Sequence, residues 1–210
     1  MKNVELLRGS YAILGGSFDP VHNGHIYLAR EVLARTPVSK VLMVPAYKHN
    51  FKKKTIFLDY DLRLELLQKA IHNCNLLKFV NQPAEEFSTP IEVWDSERGE
   101  SGYTSDLIRK LKAQMPEQSF AFIIGADNLE KLPLWHDYQW LKENVIFIVL
   151  PRPNAIIPCN ILPEITHHFL DIPMCEISST EIRSRIARGQ SITDMVDPTL
   201  EEQIIRSFNE

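Results

Sequence analysis

The chain has 210 residues, 44% apolar and 24% charged, with 23 Lys and Arg against 27 Asp and Glu for a formal charge of −4. That length supports one domain with a full core, which excludes the small scaffolds that need disulfide or metal staples. The mild negative charge excludes a globally basic nucleic-acid binder, and no acidic tail extends from the chain.

Three cysteines, Cys74, Cys159 and Cys175, are an odd set without CxxC spacing, so free thiols in a reducing compartment are expected. The longest apolar runs, such as 145–150, fall far short of a membrane span. The first ten residues carry Lys2, Glu5 and Arg8 and lack the apolar core of a leader. A soluble, cytoplasmic protein with no membrane or nucleic-acid partner is the expectation; oligomeric state is not readable.

Short β-rich runs alternate with helical stretches, the pattern of an α/β sheet with parallel strands. Residues 11–14 read as a first strand, stopped by Gly15-Gly16. Over 24–35 helical spacing puts Ile26, Ala29, Val32 and Leu33 on one face. Residues 40–44 are a second strand, ended by Pro45, and 59–73 an amphipathic helix with Leu62, Leu66, Leu67 and Ala70 inward. Strands are predicted at 77–80 and 91–95, a helix over 104–114, and apolar strands at 120–124 and 145–150 of the kind a sheet covered on both faces requires. The proline-rich stretch 151–163 reads as a long crossover, because too little chain follows it to fold alone. Helices over 178–188 and 198–208 close the chain.

Two loops carry the chemistry. Gly15-Gly16-Ser17-Phe18-Asp19-Pro20-Val21-His22-Asn23-Gly24-His25 joins the first strand to the first helix. In open α/β sheets ligands bind where strand carboxyl ends meet helix N-termini. Glycine lets the backbone approach a ligand, Asp19-Pro20 is a turn signal, and His22 and His25 share the helix start with its free N–H groups. That combination suits a polyphosphate. A zinc site is the alternative for the paired histidines, but neither HExxH nor an evident third ligand accompanies them. The Walker and GxGxxG patterns are both absent. In the second loop, Ser178 and Glu181 read as a capping box, with Gly189 ending the helix. Capping leaves Ser179, Thr180 and Arg183 unexplained; hydroxyls under a guanidinium fork suit a second set of phosphate oxygens.

The first run resembles the GxFDPxHxGH signature of the nucleotidylyltransferase superfamily, and Ser178-Ser179-Thr180-Glu181-Ile182-Arg183 resembles its SSTxIR signature. Ser101-Gly102-Tyr103-Thr104, Ile124-Gly125-Ala126-Asp127-Asn128-Leu129 and Leu132-Pro133-Leu134-Trp135 are similar to segments of the bacterial nicotinate-nucleotide adenylyltransferases. The resemblance implies one Rossmann-like nucleotidylyltransferase domain over 1–210, with a mostly parallel sheet and helices on both faces. It implies transfer of the adenylyl group of ATP to nicotinate mononucleotide, giving deamido-NAD and pyrophosphate in NAD biosynthesis. Mg²⁺ would arrive on the ATP phosphates, with no protein metal site. Rival readings are an enzyme that also accepts nicotinamide mononucleotide, and a nucleotide-binding regulator without turnover.

Carried over by position, His22, His25 and Arg183 are the implied catalytic residues. Gly15, Gly16, Ser17, Phe18, Gly125, Asp127, Ser179 and Thr180 join them in holding ATP. Lys48, Thr104, Trp135, His136 and Arg152 are implied on the mononucleotide side. Trp135 is also readable as a core aromatic and Asp127 as a helix N-cap. The family's Pro-Pro-His-Lys run is missing: here the loop is Pro45-Ala46-Tyr47-Lys48-His49-Asn50-Phe51-Lys52-Lys53-Lys54.

Overall fold

The computed structural model describes residues 3–48, 56–76, 90–152, 157–158 and 160–209. Strands and helices alternate along it: β1 (Tyr11–Gly16), α1 (Asn23–Arg35), β2 (Lys40–Pro45), α2 (Tyr60–Leu76), β3 (Ile91–Val93), α3 (Thr104–Gln114), β4 (Phe120–Gly125), α4 (Tyr138–Asn144), β5 (Ile146–Leu150), β6 (Thr166–Phe169), α5 (Ser179–Ala187) and α6 (Glu201–Asn209). Among the described residues the strands form one sheet, ordered β3-β2-β1-β4-β5-β6, with every neighbouring pair parallel. This is the doubly wound order. Its connections reverse between β1 and β4, and the crevice left there at the strand carboxyl ends is where such sheets bind ligands.

Successive strand residues face opposite layers. Ala12, Leu14, Val41, Met43, Ala121, Ile123, Ile148 and Leu150 pack with α1, α2, α5 and α6. Ile13, Leu42, Val44, Phe120, Phe122, Ile124, Phe147 and Val149 pack with α3, α4 and the 3₁₀ turn Ala126–Leu134. Burial on both faces is why these strands read as unbroken apolar runs. The helix of α2 starts where the Asp59 carboxylate accepts from the Leu62 N–H at 2.8 Å.

No local signal marks 126–144 or 166–169 as an element. Pro133 interrupts the first of these stretches, which folds as 3₁₀ turns before α4. β6, sequence THHF, is a short edge strand with no buried position, so it carries no apolar run to read. The strand expected at 77–80 and the lysine loop beyond Lys48 lie outside the described residues. Among the described residues no helix is long and apolar enough to cross a membrane.

Candidate active site

The loop leaving β1 is held from beneath. Asp19 is buried, and its carboxylate accepts the N–H groups of Phe57 and Leu58, both at 3.0 Å. Arg63 is 1% exposed. It donates to the carbonyls of Ser17 at 2.6 Å, Ala46 at 3.0 Å and Leu58 at 3.2 Å. One buried cation therefore ties the loops after β1 and β2 to the entrance of α2. Three carbonyl acceptors compensate the loss of water around it. The sequence marks Asp19 as part of a turn and gives no role to Arg63. A signal for Arg63 existed: it lies on the inward stripe with Leu67, Ala70 and Cys74, where a charge has no business unless partnered.

The two histidines cap α1 together. Their rings stack with centroids 3.7 Å apart and planes at 26°. The His22 N–H donates to Nδ1 of His25 at 3.2 Å. Since a backbone N–H can only donate, His25 carries its own proton on Nε2. Burial, the neighbouring His22 and the Arg152 charge, in that order, hold the His25 pKa well below its usual value. His22, 7% exposed, is lowered to about 3 by burial and then by Arg152. Both rings are neutral at physiological pH, so they act as dipoles and hydrogen-bond donors rather than as cations. Gly24 has to be glycine: an added Cβ would sit 2.9 Å from Nδ1 of His22 and 3.1 Å from Sγ of Cys175. Asn23 has a structural task, its side chain donating to the carbonyls of Asp194 at 2.9 Å and Val196 at 3.1 Å.

The second motif closes on the first. Ser178 caps α5, its Oγ accepting the Glu181 N–H at 3.2 Å, as the capping reading expected. The Glu181 carboxylate pairs instead with Arg185 at 2.9 Å, and Gly189, at φ +65°, ends the helix. Ser179 Oγ donates to the Pro20 carbonyl at 2.9 Å across 159 residues of sequence. Arg183 reaches the Asp19 carbonyl at 2.5 Å and Thr180 Oγ1 at 3.2 Å, with the Asp19 carboxylate 3.8 Å away. Between the motifs lies a cleft of about 260 Å³ lined by Ser17, His22, His25, Ser179, Thr180, Arg183 and Arg152. Cys175 and the apolar Leu28, Ile56 and Ile177 complete its wall. Asp19 is the carboxylate on that wall, and its oxygens are occupied by backbone donors. Two guanidinium groups, two neutral imidazoles and the hydroxyls of Ser17, Ser178, Ser179 and Thr180 make this cleft an anion receptor.

The remaining expected residues spread outward from it. Gly15 and Gly16 end β1, and Phe18 is buried and meets the His25 ring edge-on, with centroids 4.8 Å apart. Gly125 ends β4, and a Cβ there would collide with the side chains of Asp127 and Arg152. Asp127 is exposed, one residue inside the 3₁₀ turn rather than at its N-cap, with Arg152 at 3.7 Å. Arg152, expected on the mononucleotide side, lines the same cleft as the histidines.

Thr104 opens α3 and His136 lies close by: the His136 ring stacks on Tyr103 at 4.3 Å, and its Nδ1 is 3.1 Å from Ser105 Oγ. Trp135 meets Phe122 edge-on at 5.8 Å and is half-buried, so it belongs in part to the core. Lys48 is exposed on the loop after β2. Thr104, Trp135, His136 and Lys48 do not line the cleft.

The chain resembles known proteins in sequence and in fold. The sequence pattern of the cytidylyltransferase-like family matches residues 13–185, which contain both motifs and the cleft. A protein of Exiguobacterium sibiricum named "Probable nicotinate-nucleotide adenylyltransferase" is 35% identical over 94% of this chain and 96% of its own. The chain belongs to the cytidylyltransferase-like family, in its nicotinate-nucleotide adenylyltransferase branch. A Bacillus licheniformis relative of the same name is 34% identical over 89% of each chain. The fold is shared with the nicotinic acid mononucleotide adenylyltransferase of Plasmodium falciparum solved with NaAD. That structure has a TM-score of 0.76 at 23% identity, covering 95% of this chain and 96% of that one.

Branch membership explains why the two motifs, far apart in sequence, meet across one crevice. Among the described residues no three His, Cys, Asp or Glu side chains gather as a metal cage would require.

Proposed function

We propose that this chain transfers the adenylyl group of ATP to nicotinate mononucleotide, releasing pyrophosphate and deamido-NAD. The observation that carries the reading is the cleft itself, where both phosphate motifs and two arginines converge on a space without a free carboxylate. The attacking group is the mononucleotide phosphate, already an anion, so no activated serine or cysteine is needed. Its oxygen bonds to the α-phosphorus of ATP, the bridging bond from the α- to the β-phosphate breaks, and pyrophosphate leaves with that electron pair. No proton has to move.

In this reading Nε2–H of His25 donates to a non-bridging oxygen of the α-phosphate, and Arg183, Ser179 and Thr180 hold the departing pyrophosphate. Neutrality suits His25 for that task, because an imidazolium would grip ground state and transition state alike. Gly15, Gly16, Ser17 and Phe18 let the triphosphate lie against the end of β1; Gly125 and Asp127 receive the adenosine. Arg152, standing between cleft and Asp127, bridges the phosphates of both substrates. Thr104, Trp135 and His136 take the nicotinate end, and Lys48 the mononucleotide phosphate. Mg²⁺ bound to the ATP phosphates would supply charge neutralisation of the leaving group. The whole of 1–210 serves as one nucleotidylyltransferase domain. The cytoplasm, where ATP is made and thiols stay reduced, is its proposed location.

The test supplies ATP with a panel of acceptors (nicotinate mononucleotide, nicotinamide mononucleotide, phosphopantetheine and cytidine monophosphate) and measures pyrophosphate release. Turnover with the nicotinate form, exceeding the nicotinamide form by roughly 10²-fold, is expected, because a site built for a carboxylate leaves donors unpaired against an amide. Equal efficiency with both would replace the reading by a dual-specificity enzyme. No turnover with any of them would leave a nucleotide-binding regulator.

A further inference from the structure

Arg183 is steadied in the cleft by more than its hydrogen bonds. Its terminal nitrogens donate to the Asp19 carbonyl at 2.5 Å and to Thr180 Oγ1 at 3.2 Å. A further support is aromatic: the guanidinium carbon stands over the Phe57 ring, 4.7 Å from its centre. Phe57 precedes α2, beside Ile56 on the cleft wall, and its ring lies 6.3 Å from that of Phe208 in α6. Phe57 is 59% exposed, so its ring adds little to the core.

A ring beneath a guanidinium differs from a hydrogen-bond partner in what it leaves free. The attraction runs to the flat face of the cation, so the N–H groups at its edge stay available to oxygen. An acidic partner would instead occupy those N–H groups and cancel the charge that a phosphate needs. The Asp19 carboxylate, with Oδ2 at 3.8 Å from Arg183, is the group at hand for that role. The backbone N–H of Phe57 donates to this same Oδ2 at 3.0 Å, while Leu58 N–H takes Oδ1 at 3.0 Å. One residue thus supports the arginine from its face and engages the carboxylate beside it. An arginine fixed in advance has less side-chain freedom to lose when phosphate arrives.

We propose that Phe57 is a positioning residue for ATP: its ring holds the Arg183 guanidinium flat, and its N–H occupies the Asp19 carboxylate, so the arginine edge stays open to the departing pyrophosphate. The inference rests on the reading of Arg183 as a phosphate-holding group.

The test is steady-state pyrophosphate release by the full chain with ATP and nicotinate mononucleotide. Phe57→Leu keeps an apolar side chain and the backbone N–H but removes the aromatic face. It should lower kcat/KM for ATP by about three- to fivefold, leaving the KM for nicotinate mononucleotide unchanged. Phe57→Tyr, which keeps the face, should restore the wild-type value. Adding Phe57→Leu to Arg183→Gln, where no cation is left to hold, should change ATP use by less than about 1.5-fold. An unaltered Phe57→Leu enzyme, a Tyr variant as impaired as the Leu variant, or an equal fall in both Arg183 backgrounds would overturn the proposal. So would a rise in the KM for the mononucleotide, or a Phe57→Leu chain that does not fold. Arg183→Gln with normal ATP use would remove Arg183 from the phosphate site, and the role of Phe57 with it.

Discussion

Replacing Gly24 by alanine separates what holds the fold from what aligns the chemistry. The new methyl carbon would stand 2.9 Å from Nδ1 and 3.0 Å from Cε1 of His22, and 3.1 Å from the Cys175 sulfur. Ordinary contact begins near 3.4 Å, so the His22 ring must shift by several tenths of an ångström. Overpacking of this kind costs about 1–3 kcal/mol. Gly24 also lies in the first turn of α1, where alanine regains up to about 1 kcal/mol of helix propensity. The two nearly offset, leaving a net loss of roughly 0–2 kcal/mol, a few degrees in Tm for a chain of this size. Activity has no such compensation. His22 stacks on His25 and its N–H fixes the His25 proton on Nε2, so displacing the ring misaims the donor. Misplacement on that scale costs roughly 10²-fold in turnover. Thermal unfolding and pyrophosphate release, measured on one preparation, are the assay. Cys175→Ala in the same background removes the sulfur contact but not the His22 contact, so it should not restore activity. A folded Gly24→Ala protein within about threefold of wild-type turnover would refute the reasoning.

Arg183→Lys keeps a charge but loses the fork to Asp19 and Thr180; kcat/KM for ATP should fall by roughly 10-fold or more, with the KM for nicotinate mononucleotide little changed, and an unchanged ATP dependence would remove Arg183 from the phosphate site. Arg63→Met strands the buried Leu58 carbonyl and the part-buried carbonyls of Ser17 and Ala46 and should cost about 2–3 kcal/mol in urea unfolding; a loss under about 1 kcal/mol would mean water replaces it. His22, held at about 3 when folded against 6.5 as a free side chain, binds fewer protons folded than unfolded between those values. Stability should therefore fall as pH drops below about 6.5, by up to about 1.4 kcal/mol per pH unit from His22, with a further contribution from the similarly lowered His25. Unfolding at pH 7 and pH 5 checks this, and His22→Asn should flatten the slope; an equal slope in that variant would contradict it.

How far the sequence revealed the fold follows from which signals are local. Val41, Leu42, Met43 and Val44, or Phe120 through Ile124, announce strands buried on both faces, and the glycines that end β1 fall at the crevice. The helix of α3 was legible from end to end, Thr104 to Gln114. What stayed hidden depends on partners distant in the chain. Nothing beside Ser179 foretells its bond to Pro20, and nothing beside Arg63 names the three carbonyls it gathers. Arg152 follows a strand as expected, yet only the fold brings it between Asp127 and the histidines. β6 was missed because an exposed edge strand lacks an apolar face.

The central claim is that the paired motifs direct attack at the α-phosphorus of ATP. The most direct measurement uses ATP radiolabelled in either the α- or the γ-phosphate, with nicotinate mononucleotide as acceptor, in wild type and His25→Ala. The account predicts α-label in the dinucleotide, γ-label wholly in pyrophosphate, and both products reduced by roughly 10²-fold in the folded variant. Label from the γ-position on the acceptor or in free phosphate, or full activity in His25→Ala, would contradict it.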